Sequence, residues 1–291
     1  PQRVPDSGML RALVPIVLLG CASGPACPAS RVTARVLDEG ASTSGAQAAL
    51  DQSLGRVPAG PLAWYRLYDD GALDDARARV LAHYMDSGFA NVRIEEPAVE
   101  LAPDRGTVGI TLRVQAGPRF RLGSVRVVEI DAAGARTDEA LPLGVRAPEP
   151  LVREAPGLTS GEWFSRQRGA DAIQQIRDRY GEQGYAMAEV TPQAELHVEE
   201  ARIDLVLEIE RGPAIVIDAI EILDEERGDR TRALLPGTGL SAGEPYRLSR
   251  IRAAERALAS PDRDLRWMLV RASDDLADDS HRLLRFMLLR R

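Results

Sequence analysis

The chain has 291 residues, 44% hydrophobic and 28% charged, which excludes a disordered tail and leaves room for two or three globular domains. A formal net charge of -7 and a pI near 5.2 argue against the basic face that phosphate recognition needs, so no nucleic-acid partner is expected. Aromatic residues are only 4%, pointing to aliphatic cores; lysine is absent and all 37 basic residues are arginine.

Residues 1–30 read as a leader. From Met9, one arginine (Arg11) precedes an apolar run from Ala12 to Leu19, too short to span a bilayer as a mature helix. Leu18-Leu19-Gly20-Cys21 is similar to a bacterial lipoprotein box, which makes Cys21 a lipidation candidate; ordinary signal cleavage around residues 26–29 is the other reading. Cys27 is the only other cysteine, so neither disulfides nor a cysteine-bound zinc holds the remainder.

Residues 31–119 form the first repeat. Val32 to Val36 alternates as a short strand, and residues 46–54 have room for a short helix. Leu73, Ala76, Val80, Leu81 and Tyr84 fall on one helical face, and Gly88 stops that helix. Two strands are predicted next: Val92 to Leu101, the weaker, and Val108 to Val114, which alternates cleanly.

Residues 120–213 repeat the order. Val125 to Val127 starts a strand, and residues 131–157 are a polar, proline-rich connection with room for a short helix. Ala172, Ile173, Ile176 and Tyr180 mark the main helix, which Gly184 stops before Tyr185. Strands follow at Val190 to Val198 and Ile203 to Ile209.

Residues 214–291 diverge. A strand from Ile215 to Ile222 leads to a helix from Leu248 to Leu258, stopped early by Pro261. Leu265 to Val270 and Leu283 to Leu289 supply a last hairpin.

The repeat is visible as punctuation. Tyr84, Gly88 and Phe89 are answered by Tyr180, Gly184 and Tyr185, an offset of 96 residues. Gly117-Pro118 is answered by Gly212-Pro213, an offset of 95. Gly161-Glu162 is answered by Gly243-Glu244 before the next helix, but the third repeat lacks the Tyr…Gly-aromatic mark.

With these marks in register, the chain resembles tandem POTRA domains of the BamA/TamA outer-membrane protein assembly family. The resemblance covers roughly residues 31–291. It implies an α+β fold of tandem β-α-α-β-β domains, each a three-stranded mixed sheet covered by two helices. It also implies a non-enzymatic periplasmic scaffold at the bacterial outer membrane, without cofactor or metal. Its expected partners are unfolded outer-membrane proteins, a C-terminal β-barrel following Arg291, or other envelope assembly proteins. A stand-alone lipid-anchored bridging protein is the alternative.

The resemblance places the strand after each main helix at a sheet edge, where unpaired N–H and C=O groups offer a template to an added strand. This makes Val92, Arg93 and Ile94, and Val190, Glu195 and Val198, the candidate client-strand positions. Pro97 and Pro192 fit an edge, where proline is tolerated. Glu189, Glu195, Glu199 and Glu200 also fit a solvated margin that keeps copies from pairing. His83, His197 and His281 share no motif spacing, and no HExxH, P-loop, GxGxxG helix opening or G-x-S-x-G is present.

Overall fold

In the computed structural model, the described residues are 31–38, 43–54, 71–101, 107–130, 136, 151–271 and 280–290. Cys21, Cys27 and most of the connection expected to hold a helix within 131–157 lie outside them. Contacts divide the chain into two compact units. One holds residues up to Phe120 with Trp163–Arg166; the other holds Arg121–Glu162 and Gln167–Arg291.

In the first unit, β1 (Arg31–Asp38) runs parallel to β4 (Thr107–Gln115). On its other side β4 pairs antiparallel with β2 (Arg93–Ile94) and β3 (Ala98–Leu101). The single strand expected over Val92–Leu101 is thus two short pieces. The gap contains Pro97, which has no N–H to give a ladder. Helices α1 (Ser44–Leu54) and α2 (Ala72–Asp86) set Leu50, Val80 and Tyr84 against Ile110, Leu112 and Val114.

The second unit contains two further sheets. In one, β5 (Arg121–Ile130) runs parallel to β7 (Arg202–Glu210), which pairs antiparallel with β6 (Glu189–His197). Helix α3 (Arg166–Glu182) packs Ile176 and Tyr180 onto Leu205, Leu207 and Ile209. In the other, β8 (Val216–Asp224) runs parallel to β12 (His281–Arg290), which pairs antiparallel with β11 (Arg263–Arg271). The two-residue strands β9 (Gly228–Asp229) and β10 (Glu244–Pro245) add to the far side of β8. Helices α4 (Thr231–Thr238) and α5 (Leu248–Leu258) cover this third core.

The alternation read from sequence has a direct physical counterpart. In β7, Ile203, Leu205, Leu207 and Ile209 are buried while Asp204, Val206 and Glu208 face away. In β12, Leu284, Phe286 and Leu288 do the same. Each fully buried aliphatic side chain contributes roughly 1.5–3 kcal/mol relative to exposure, so each module stands on a modest core of its own. The fold is α+β: mixed sheets, each with its helices on one face.

Candidate functional site

In each sheet the strand region that follows the main helix lies at one edge, and β1 and β5 form the opposite edges of the first two sheets. Among the described residues, β2 and β3 pair only with β4, β6 only with β7, and β11 only with β12. Val92 precedes β2 and packs partly on the first core, Arg93 is exposed opposite Gln115, and Ile94 is half-buried opposite Val114. A groove of about 360 Å³ lies between α2 and this edge, lined by Asp74, Arg77, Ala78, Leu81, Val92 and Ile94.

On β6, Val190 is buried in the core, and Glu195 is exposed opposite Asp204. Val198 falls outside the strand. It belongs to the turn into β7, where the Ala201 N–H donates to the Val198 carbonyl (3.1 Å) and Ala201 takes φ 46°. The hairpin needs those four residues to reverse, which ends the ladder at His197. Met187, Leu196 and Val198 stay exposed along this margin. His197 Nε2 lies 3.0 Å from Asp204 Oδ2, and His281 Nδ1 lies 2.7 Å from Asp218.

The Tyr…Gly-aromatic mark is a helix stop made by the backbone. Phe89 N–H reaches back to the Tyr84 carbonyl (3.0 Å) and Gly88 N–H to that of Met85 (3.3 Å). This is the Schellman arrangement, which needs a left-handed residue at the glycine; Gly88 has φ +103° and Gly184 +99°. Tyr185 N–H likewise returns to the Tyr180 carbonyl (3.0 Å). The aromatic pairs close the turn edge to face, at 5.8 Å for Tyr84–Phe89 and 6.2 Å for Tyr180–Tyr185.

The glycine carbonyl then holds the start of the next strand region. Within the first unit, Phe120 N–H donates to Gly88 O (2.8 Å), and Phe164 N–H to Phe120 O (3.0 Å). Within the second unit, Ile215 N–H donates to Gly184 O (2.9 Å), and Tyr246 N–H to Ile215 O (2.9 Å). Gly117-Pro118 and Gly212-Pro213 each turn the chain into this clamp; Gly117 and Gly212 have φ of +70° and +67°.

Two groups of acids were not singled out by the sequence reading. Glu129, at the end of β5, is 1% exposed and accepts hydrogen bonds from the Tyr180 hydroxyl and from Arg211 Nε (2.5 Å). The Arg211 guanidinium also lies 5.0 Å from the centre of the Tyr185 ring. Burial, then the hydrogen bond and charge of Glu129, push the Tyr180 phenol above its ordinary value, so it remains a donor. In the first unit, burial and the nearby Asp38 push Tyr84 the same way. Asp224 ends β8 in the same manner and accepts the Glu226 and Arg227 N–H groups (3.0 Å each).

The other group is the acid two residues before each stop glycine. Glu182 Oε2 accepts the Ser249 N–H (2.9 Å) and Oε1 its hydroxyl (2.8 Å). Helix α5 has no side-chain cap from its own N-cap residue, Arg247, so its first turn is closed by a carboxylate from the preceding module. Asp178 adds an ion pair to Arg252 (2.9 Å). In the first unit, Asp86 holds the matching place, 3.4 Å from Arg166. A shared acid at one position of both marks was the signal available in the sequence.

The Ser249 N–H, then its hydroxyl, hold the Glu182 carboxyl below the usual carboxylate range. A carboxyl depressed by folding adds stability above its unfolded value and loses it as pH falls through the folded one. The start of α5 is therefore expected to loosen below about pH 4. Glu182→Gln keeps the shape without the charge. Its difference from wild type in amide exchange at Ser249 and Ile251 is expected to shrink as pH drops from about 6 to about 3; a constant difference would contradict the cap.

The POTRA family model, described as "Surface antigen variable number repeat", matches residues 144–212. The outer membrane protein assembly factor BamA of Neisseria meningitidis serogroup B is 28% identical over 144 residues, covering 50% of this chain and 16% of that protein. BamA of Nitratidesulfovibrio vulgaris is 21% identical over 202 residues, covering 68% of this chain and 24% of that protein. The chain thus spans less than a quarter of the length of these relatives. Its fold is similar to POTRA domains 3–5 of Haemophilus influenzae BamA, with a TM-score of 0.64 at 16% identity over 90% of this chain and 96% of that one. With the mixed sheets and the repeated helix stop, these matches support a reading of the chain as tandem POTRA domains similar to those of the BamA/Omp85 family.

Proposed function

We propose that this chain is the periplasmic, outer-membrane-associated part of an assembly factor for outer-membrane proteins. Unfolded client segments add as extra strands to its open edges, and partner envelope proteins dock on the same array. The observation that carries this reading is the one-sided pairing of β2, β3 and β6. An edge strand presents unpaired backbone groups, and a client strand meets them with little demand on its own sequence. The groove beside β2 and the exposed Met187, Leu196 and Val198 beside β6 provide apolar contact for alternate client side chains. Photo-crosslinkers at Arg93 and Glu195 are expected to give adducts with an unfolded outer-membrane protein. Adducts at neither position, or adducts no more frequent there than at labelled control sites on the helix faces, would overturn the reading.

A further inference from the structure

We propose that the joint between the second and third modules is an electrostatic latch: two carboxylates on α3 fix the angle of the third module while they are ionised and release it when they are protonated, with both modules still folded. The inference does not depend on the edge-addition reading above. Three observations carry it.

The first is a pair of rungs. Asp178 and Glu182 stand one turn apart on the same face of α3. Glu182 accepts the Ser249 N–H and hydroxyl, and Arg252 Nη2 donates to both oxygens of Asp178, at 3.0 and 2.9 Å. A step back along α3, from 182 to 178, is thus a step forward along α5, from 249 to 252. The two helices are tied at points about 6 Å apart along α3. One contact leaves a pivot, whereas two separated contacts resist rotation. The mark in the first repeat carries the acid of one rung only, Asp86; Ala82 stands where Asp178 would.

The second is the smallness of the apolar contact beside the rungs. Gly181 lets α5 approach α3: a Cβ there would meet Leu248 Cβ at 3.4 Å and the Tyr246 ring at 3.7 Å. Ala186 packs against the third core. A glycine and an alanine give contact but no long side chain to interlock, so they leave the angle weakly specified. The Ile215 N–H bond to the Gly184 carbonyl (2.9 Å) lies next to the covalent link at Gly212-Pro213, close to any axis of rotation. The rungs lie away from that axis, where a restraint has leverage.

The third is the set of charges around the joint. Arg247, Arg252, Glu255 and the Tyr246 phenol face the two carboxylates from the third module, and Arg179 shares the last turn of α3. The arginines keep their charge at any moderate pH, and Tyr246, raised to about 12 by burial, stays neutral. The carboxylates are therefore what titrates here in acid. The Ser249 donors hold Glu182 below its ordinary value, so the closed joint favours the ionised form. Its stabilisation is complete above the value of a free carboxylate and is lost as pH falls through the depressed one. The Asp178–Arg252 pair is partly exposed, so salt weakens that rung as well.

The test uses the full chain with Cys21→Ser and Cys27→Ser and nitroxide labels at two exposed positions outside the joint, Thr191 on β6 and Arg266 on β11. Pulsed electron-spin resonance reads the distance between them, and amide exchange across β7 and β12 reports whether each module is folded. One narrow distance distribution is expected at neutral pH, broadening between about pH 5 and pH 3 while exchange stays protected. Asp178→Asn with Glu182→Gln is expected to broaden it already at neutral pH, with the ratio of open to closed joint raised about ten-fold. A distribution in that double variant as narrow as in the parent would overturn the latch. So would loss of protection in β12 of the variant, because the carboxylates would then serve the folding of the third module rather than its angle. A parent distribution that stays narrow down to the pH at which β7 loses protection would overturn release by acid.

Discussion

Replacing Arg211 with leucine is expected to destabilise the second POTRA module by about 3–5 kcal/mol. The Glu129 side chain is 1% exposed and Arg211 26% exposed, so the carboxylate relies on the guanidinium for its countercharge. The Tyr180 hydroxyl supplies one hydrogen bond but no charge. Removing the arginine takes a hydrogen-bonded countercharge from a carboxylate in the core, and the loss of its contact with the Tyr185 ring adds to the damage. Amide exchange across β5 and β7 reads the effect locally. The double variant Glu129→Leu with Arg211→Leu is expected to recover most of the loss, because no unpaired charge then remains. A single-variant loss under about 1 kcal/mol would mean that water reaches the carboxylate.

Gly184→Val is expected to cost about 3 kcal/mol, from two sources. A branched side chain at φ +99° is strained by roughly 1–2 kcal/mol. The Gly184 carbonyl also holds the N–H of Ile215, a residue only 1% exposed, and a backbone shift that orphans this donor costs about 1–3 kcal/mol more. Space is not the obstacle, since a Cβ at Gly184 would have Tyr246 O as its nearest neighbour at 3.7 Å. Gly184→Ala should therefore cost clearly less than the valine change. Thermal melts of the two variants, with exchange at Ile215 and Tyr246, separate strain from the lost clamp. Equal losses for alanine and valine would contradict this account.

What was legible in the sequence was what local chemistry writes. Tyr84 with Gly88 and Phe89, and Tyr180 with Gly184 and Tyr185, stand out because a Schellman stop is completed within six residues. The strand alternation of β7 and β12 shows because burial on one face imposes period two. Glu129 was not legible as a core ion. Its partners Tyr180 and Arg211 lie 51 and 82 residues away, and an acid at the end of a strand reads locally as surface. Glu182 was hidden for the same reason, with Ser249 at 67 residues. The edge was placed from the family resemblance, but its break at Pro97 and the turn that removes Val198 from β6 depend on hairpin geometry.

The borrowed cap on α5 gives the array a direction. The group that closes the third module's helix resides upstream, on α3, while Arg247 and Arg252 reach back to the Glu182 carbonyl (3.4 Å) and the Asp178 carboxylate (2.9 Å). Because α3 precedes Ser249 in the chain, a second module that folds first already presents the acid that α5 needs. Cutting the chain ahead of residue 214 would leave the released fragment with a frayed first turn, whereas the piece left behind would keep its helix and lose the donors that Arg247, Arg252 and Ile215 bring to its end.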